Sequence, residues 1–360
     1  MNYKINPKGD SPAYIQLYYF LREDIINGTF TYGTKIPSKR IIAAETGVSI
    51  ITVEHTMELL CDEGYIETRP RSGYFVIYRN EDFQVVQTPI TGKINKLTST
   101  SNLVEFPFST LAKTMRKVLL DYGDNILTRS PNAGCLELRS EVCAYLARSR
   151  SIHVNPTQIV VGSGAEYLYG LIAQMFKEKG TFAIENPSYE KIKKVYEEFG
   201  ITIDGLTLNQ DGIDSGELKK TKAKVLHTTP FNSFPTGITA DASKKREYLN
   251  WASTKDGIII EDNYDSELTI AQKPEDSLFL MSGGENVIYI NTFSRTIAPS
   301  MRVGYMVLPQ NLVKEFNQKL GFYSCTVPVF DQLVIAELLH SGDFERHLNR
   351  IRRKRRKDTK

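Results

Sequence analysis

Apolar residues recur at three- and four-residue steps at Tyr14, Leu17, Tyr18, Leu21 and Ile25. That spacing lays one stripe along a helix and predicts an amphipathic helix closed by Gly28. A shorter helix is expected over 40–46. Gly47 and Val48 then turn the chain into Ser49, a side chain suited to capping a third helix whose Val53, Met57 and Leu60 face inward. The segment GYIETRPRSGYFVIY follows, with two aromatic and β-branched runs around Pro70 and Gly73. It predicts a hairpin.

The periodicity lapses over 79–102, where a polar, Ser/Thr-rich stretch reads as a linker. Beyond it the runs IVVGSG, TFAIENP, KVLHTTP, GIIIED and VIYINTF alternate with helical stretches. This is the pattern of a mostly parallel sheet covered by helices. The expected organisation is therefore a small α+β unit over 1–78, a linker over 79–102 and a larger α/β domain over 103–360.

Composition narrows the class. The 360 residues are 41% hydrophobic and 24% charged, which excludes a disordered chain and a membrane protein. The polar start MNYKINPKGDSPAY carries no signal-peptide core, so a cytoplasmic location is expected. Four cysteines, Cys61, Cys135, Cys143 and Cys325, lack zinc-finger or redox-pair spacing and read as free thiols, with no metal site. The net charge is only +3, and residues 1–79 carry 9 Lys/Arg against 9 Asp/Glu. Any nucleic-acid footprint must then come from placement, as in Lys39 with Arg40 and Arg69 with Arg71.

Two helices joined by a Gly-containing turn, followed by a hairpin, can seat one helix in the major groove and place wing arginines at phosphates. A winged protein-interaction module would share the topology. The ordered motifs YIQL, IPSKR, GVSIITV, EGYI and RPRSGYFV resemble the GntR-family winged helix. That resemblance implies a double-stranded DNA operator, with Ser38, Arg40, Ser49, Thr52, Arg69, Arg71 and Gly73 at or beside it. Ile50 departs from the family, which usually has arginine there.

In the larger domain the polar residues just after each apolar run deserve inspection, because ligands gather at the carboxyl ends of parallel strands. IVV leads to Ser163-Gly164-Ala165 and a helix start suited to an anion. GIII leads to Asp262 and Tyr264, VIYI leads to Ser294 and Arg302, and ENPSY adds Tyr189 as an aromatic face. ENPSY, TTPFNSFPTG, IIIEDNYDSE and TFSRTIAPSMRVGY resemble the aminotransferase-like domain of the MocR subgroup of GntR regulators, a fold type I aminotransferase fold. The resemblance implies pyridoxal phosphate. Asp262 would meet the pyridine nitrogen, Tyr264 the ring hydroxyl and Tyr189 the ring face, while Ser294, Arg302 and the Gly164 and Ala165 amides would hold the phosphate.

Several positions depart from that pattern. Arg295 stands at the family's Schiff-base lysine position, and arginine stays charged and cannot act as that nucleophile. Glu166 replaces a common glutamine, and Phe231-Asn232-Ser233 replaces the usual serine-histidine-glutamine. Lys244 and Lys245, far from the motif, are expected at the surface. The basic end RHLNRIRRKRRKDTK resembles the helix that precedes the family's C-terminal subdomain and reads as a helix exposed by truncation; nucleic-acid binding is the alternative. The resulting expectation is a homodimeric transcriptional regulator, not a catalyst, that senses a vitamin B6-type or amino-acid effector and holds any pyridoxal phosphate noncovalently. A cofactor-free dimerisation domain is the second reading, and a working aminotransferase the third.

Overall fold

The apolar stripe at the amino end does form a helix, α1 (Ala13–Ile26), which buries Leu17, Tyr18, Leu21 and Ile25. Helices α2 (Lys39–Thr46) and α3 (Ile50–Asp62) follow, and Val53, Met57 and Leu60 are fully buried between them. The Ser49 hydroxyl accepts the Thr52 backbone N–H at 3.1 Å, so the expected cap of α3 is present. Strands β1 (Ile66–Arg69) and β2 (Gly73–Val76) make the antiparallel wing, pairing Ile66 with Val76 and Arg69 with Gly73. Gly73 lies at φ 104°, in a region that disfavours side chains, and a Cβ there would fall 3.1 Å from Lys35 Cε.

This computed structural model describes residues 3–6, 11–70, 72–78, 106–269 and 276–358. The chain divides into two compact units, Met1–Thr98 and Ser99–Lys360. The linker expected over 79–102 and the wing residue Arg71 lie outside the described residues.

The larger unit is built on β3 (Ile159–Gly162), β4 (Phe182–Asn186), β5 (Ile203–Asn209), β6 (Gly212–Ile213), β7 (Val225–Thr228), β8 (Ile258–Asp262), β9 (Val287–Thr292) and β10 (Gly304–Val307). Their order in the sheet is β3-β10-β9-β8-β7-β4-β5-β6. The run from β9 to β5 is parallel, while β10 is antiparallel to both neighbours and β6 to β5. Helices α4 (Phe108–Tyr122), α5 (Leu136–Arg150), α6 (Ala165–Phe176) and α7 (Glu190–Glu198) precede or separate the first strands. The others are α8 (Ser215–Lys220), α9 (Ala242–Lys255), α10 (Leu278–Met281), α11 (Gln310–Leu320), α12 (Val329–His340) and α13 (Asp343–Asp358).

Side chains of a strand alternate between faces, and here the alternation separates two cores. Leu226, Ile259, Val287, Tyr289, Tyr305 and Val307 join one cluster, with residues of α5, α9 and α12. Val225, Ile258, Ile260, Ile288, Ile290 and Met306 join the other, with α6, α7 and α11. Strands covered on both faces read as unbroken apolar runs, which explains the pattern of the sequence.

Two expectations are corrected. Lys244 and Lys245 are buried, because their ammonium groups reach backbone carbonyls: Lys244 Nζ donates to Ile213 O at 2.7 Å and Lys245 Nζ to Asp276 O at 3.3 Å. The basic terminal helix α13 is not simply exposed either. Phe344, His347 and Leu348 are buried, and Arg352 Nε donates to Glu267 O at 2.9 Å.

Candidate functional site

A cavity of about 280 Å³ opens where the parallel strands end. β10 runs against β3 and β9, with Gly304 beside both Gly162 and Thr292. Its amino end therefore lies at the carboxyl ends of its neighbours, which brings Arg302 to the same rim as Asp262, Ser294 and the start of α6. Ala165, Tyr189, Asp262, Tyr264, Ser294 and Arg302 all line the cavity, as expected, and Arg295 joins them. Gly164 stands just behind, as the N-cap of α6 at φ 91°. A Cβ there would lie 2.6 Å from Arg302 Nη2, so glycine is what lets the guanidinium approach the helix start.

Asp262 ends β8 and is buried. Its Oδ1 accepts the Tyr264 N–H at 3.1 Å, and its Oδ2 accepts the Tyr169 hydroxyl. His227 Nε2 lies 3.8 Å from Oδ2, while His227 Nδ1 meets the Tyr196 hydroxyl at 2.7 Å. Burial and the neighbouring Asp262 carboxylate hold the Tyr169 phenol well above its ordinary pKa, so it remains a donor. A buried carboxylate so held accepts a further N–H, such as a protonated ring nitrogen.

The wall opposite is aromatic. Tyr189, at the start of α7, packs edge-on to Phe234 with ring centres 6.1 Å apart. Tyr264 is half-buried, and its hydroxyl donates to Asn232 O at 2.9 Å. Arg295 lies over the Tyr264 ring, 5.3 Å from its centre, with Nε 3.3 Å from Asp265 Oδ1. Asn232 Nδ2 also donates to Asp265. The positions flagged as departures, 232 and 295, thus share one carboxylate.

At the α6 end, Arg302 Nη2 donates to Glu166 Oε2 and Lys191 Nζ to Glu166 Oε1 at 2.8 Å. Burial acts to raise the Glu166 pKa, but the bonds from Lys191, its own backbone N–H and Arg302 outweigh it and hold the carboxyl at about 2. Ser294 Oγ is buried and has no hydrogen-bond partner among the described residues. The ring half of pyridoxal phosphate therefore finds matching groups, and its phosphate finds an orphaned hydroxyl together with an arginine already paired.

In the winged helix, Ser38 and Arg40 are exposed at the start of α2. Ser49 and Thr52 are joined by a 2.8 Å hydroxyl contact. Arg69 Nε donates to Glu67 Oε1 at 2.8 Å, and its guanidinium lies 4.4 Å from the Phe75 ring centre. Ile50 and Ile51 are 49% and 66% exposed, an apolar start to the helix that would enter the groove.

Comparison with known proteins places both halves. The family Aminotransferase class I and II matches residues 95–359, and Bacterial regulatory proteins, gntR family, matches residues 13–76. The uncharacterized HTH-type transcriptional regulator YdeL of Bacillus subtilis (strain 168) is 32% identical over 364 residues, which cover 98% of this chain and 79% of YdeL. The probable rhizopine catabolism regulatory protein MocR of Rhizobium meliloti is 25% identical, over 96% of this chain and 75% of its own length. The chain belongs to the MocR subgroup of GntR-family regulators. Pyrococcus horikoshii kynurenine aminotransferase, solved in complex with PMP, is 25% identical and superposes with a TM-score of 0.63, covering 72% of this chain and 69% of that one. This MocR-type protein is thus a transcriptional regulator with a DNA-binding winged helix and an aminotransferase-like domain. No described helix is long and apolar enough to cross a membrane.

Sequence reasoning missed Tyr169, His227, Lys191 and Asp265. Two had a signal. His227 interrupts an apolar, fully covered strand, and Tyr169 lies three residues after Glu166, on the same side of α6.

Proposed function

We propose that the large domain of this regulator is a sensor: it holds a vitamin B6-type pyridine ligand of the pyridoxal phosphate group without a covalent bond, and occupancy changes how a homodimer engages its operator. The observation that supports this is a cavity lined by both the buried Asp262 and Arg295, which on the family resemblance stands at the lysine position. When bound, a pyridoxal ring supplies an electron sink for amino-acid chemistry. Arginine keeps its proton to about pH 12 or beyond, so residue 295 can neither attack the ring aldehyde nor shuttle a proton. It can orient a ligand by charge and by its stack on Tyr264. The remaining groups bind: Asp262 takes a ring N–H, Tyr189 offers a flat face, and Ser294 offers a hydroxyl. Differential ligand affinity for two arrangements of the dimer supplies the switch.

The test uses the purified chain with pyridoxal phosphate, treated with borohydride and then denatured. The expected result is release of the ring on denaturation and a ligand-dependent change in operator mobility shift. A reduced ring left attached to a lysine would overturn the noncovalent reading.

The Glu166–Arg302 pair favours a second reading, in which the domain serves dimerisation alone and takes no ring. Stoichiometric ring binding that disappears in Asp262→Ala decides against it.

A further inference from the structure

The cavity's charges are arranged in a way that selects among pyridine ligands. Three cations stand at it or beside it, Arg302, Lys191 and Arg295, and so do three carboxylates: Glu166, paired with Arg302 and Lys191, Asp265, paired with Arg295, and Asp262, held by the Tyr169 hydroxyl. In total the set is neutral before any ligand enters. At the α6 end a single carboxylate, Glu166, bridges Arg302 and Lys191 and stays ionised across the whole physiological range. It is a side chain of the first turn of α6, so it meets the same positive helix end that would attract a phosphate.

A phosphate monoester adds roughly −1.5 to −2 charges near neutral pH. A phosphate that approaches Arg302 comes up beside the Glu166 carboxylate held by Nη2 of the same guanidinium, and like charges brought together cost several kcal/mol. The opposite wall differs. Asp265 meets the Nε edge of Arg295 and Tyr264 faces its plane. Among the described residues the Nη edge has no partner, and Arg295 is 44% exposed while lining the cavity. An anchored guanidinium with its Nη groups available matches a planar carboxylate.

We propose that the cavity selects an unphosphorylated pyridine-type ring bearing a carboxylate. Asp262 receives the ring N–H, Arg295 receives the carboxylate, and Glu166 keeps Arg302. Such a ligand, protonated on the ring, is neutral overall and leaves the balance of charges intact. This inference rests on the pyridine-ligand reading above and narrows it.

Calorimetric titration of the whole chain with three probes tests it: pyridoxal 5′-phosphate, pyridoxal, and 4-pyridoxate, the ring acid of pyridoxal. In the wild type 4-pyridoxate is expected to bind tightest and pyridoxal 5′-phosphate weakest. Glu166→Gln should move the affinity ratio of phosphate ester to pyridoxal by about tenfold or more toward the ester, the size of one charge-assisted contact. Arg295→Gln should lower the ratio of 4-pyridoxate to pyridoxal by about tenfold on the same grounds. Thermal melting and DNA binding verify that each variant is folded. A wild type that prefers the ester, with a ratio unmoved by Glu166→Gln, overturns this inference and leaves the pyridine reading standing. Failure of all three rings to bind removes both.

Discussion

Ile50 shows how one side chain sets the character of a DNA contact. It opens α3, half-exposed, where the resemblance to the GntR family leads one to expect arginine. An apolar side chain releases no counterion from DNA. Ile50→Arg is therefore expected to tighten binding at low salt and steepen the slope of log affinity against log salt by about 0.9. A salt titration of operator binding measures this, and an unchanged slope would place residue 50 away from phosphates. In the cavity, Tyr169 is the decisive unforeseen residue. Its hydroxyl satisfies Asp262, and Tyr169→Phe should lower stability by about 2 kcal/mol, the usual loss for a hydrogen bond to a buried charge. Denaturant unfolding checks it; a loss near zero would mean that His227 or water takes over. Asp262 itself was legible because it ends an apolar run. Tyr169 and His227 carry only a faint signal, because a tyrosine in a helix and a histidine in a strand acquire a role only once the sheet brings β7 and α6 together.

Among elements, the winged helix follows its local signals closely. Ser49 was read as a cap and does cap α3, and the removal of such a cap in Ser49→Ala should cost about 1 kcal/mol. A shift in the unfolding midpoint of the small unit measures it, and an unchanged midpoint would show that the bond from the Thr52 N–H adds nothing. Five strands of the large sheet, β3, β4, β7, β8 and β9, are equally clear, since continuous burial leaves continuous apolar runs, whereas β5, exposed along much of its length, and β6 and β10 are not foreseen. Helices were harder wherever polar atoms pack. α9 buries Lys244 and Lys245 by aiming their ammonium groups at carbonyls of other elements, and composition alone places lysine outside. α13 reads as a solvated basic helix, yet it docks through His347, whose Nε2 donates to Thr296 O at 3.0 Å, and through Arg352. Thr296 follows Arg295, so the terminal helix steadies the segment that carries this cavity arginine.

For the molecule as a whole, two buried groups pull its pH dependence in opposite directions. Burial and, to a smaller extent, the Asp262 charge push Glu185 up to about 7 against bonds from Ser233, Thr228 and Thr229. Its stabilising effect is complete below its ordinary value of 4.5 and is lost as pH rises through 7. Burial and Arg350 push His347 down to about 4 despite its bond to Thr296. Its effect is present above 6.5 and is lost as pH falls through 4. Between these limits the slopes offset each other. Glu185→Gln removes the first, so the melting temperature of the variant relative to wild type should climb between pH 4.5 and 7, by up to about 3 kcal/mol of stability. A difference that stays level with pH would show that Glu185 is ionised throughout. Glu166 has a consequence of another kind. A protein whose ligand supplies a missing counter-ion gains stability in proportion to the logarithm of ligand supply. Here the counter-ion of Arg302 is Glu166, synthesised with the chain, so this corner is complete before any ligand enters. Whatever stability a ligand adds must then come from its other contacts and not from neutralising Arg302.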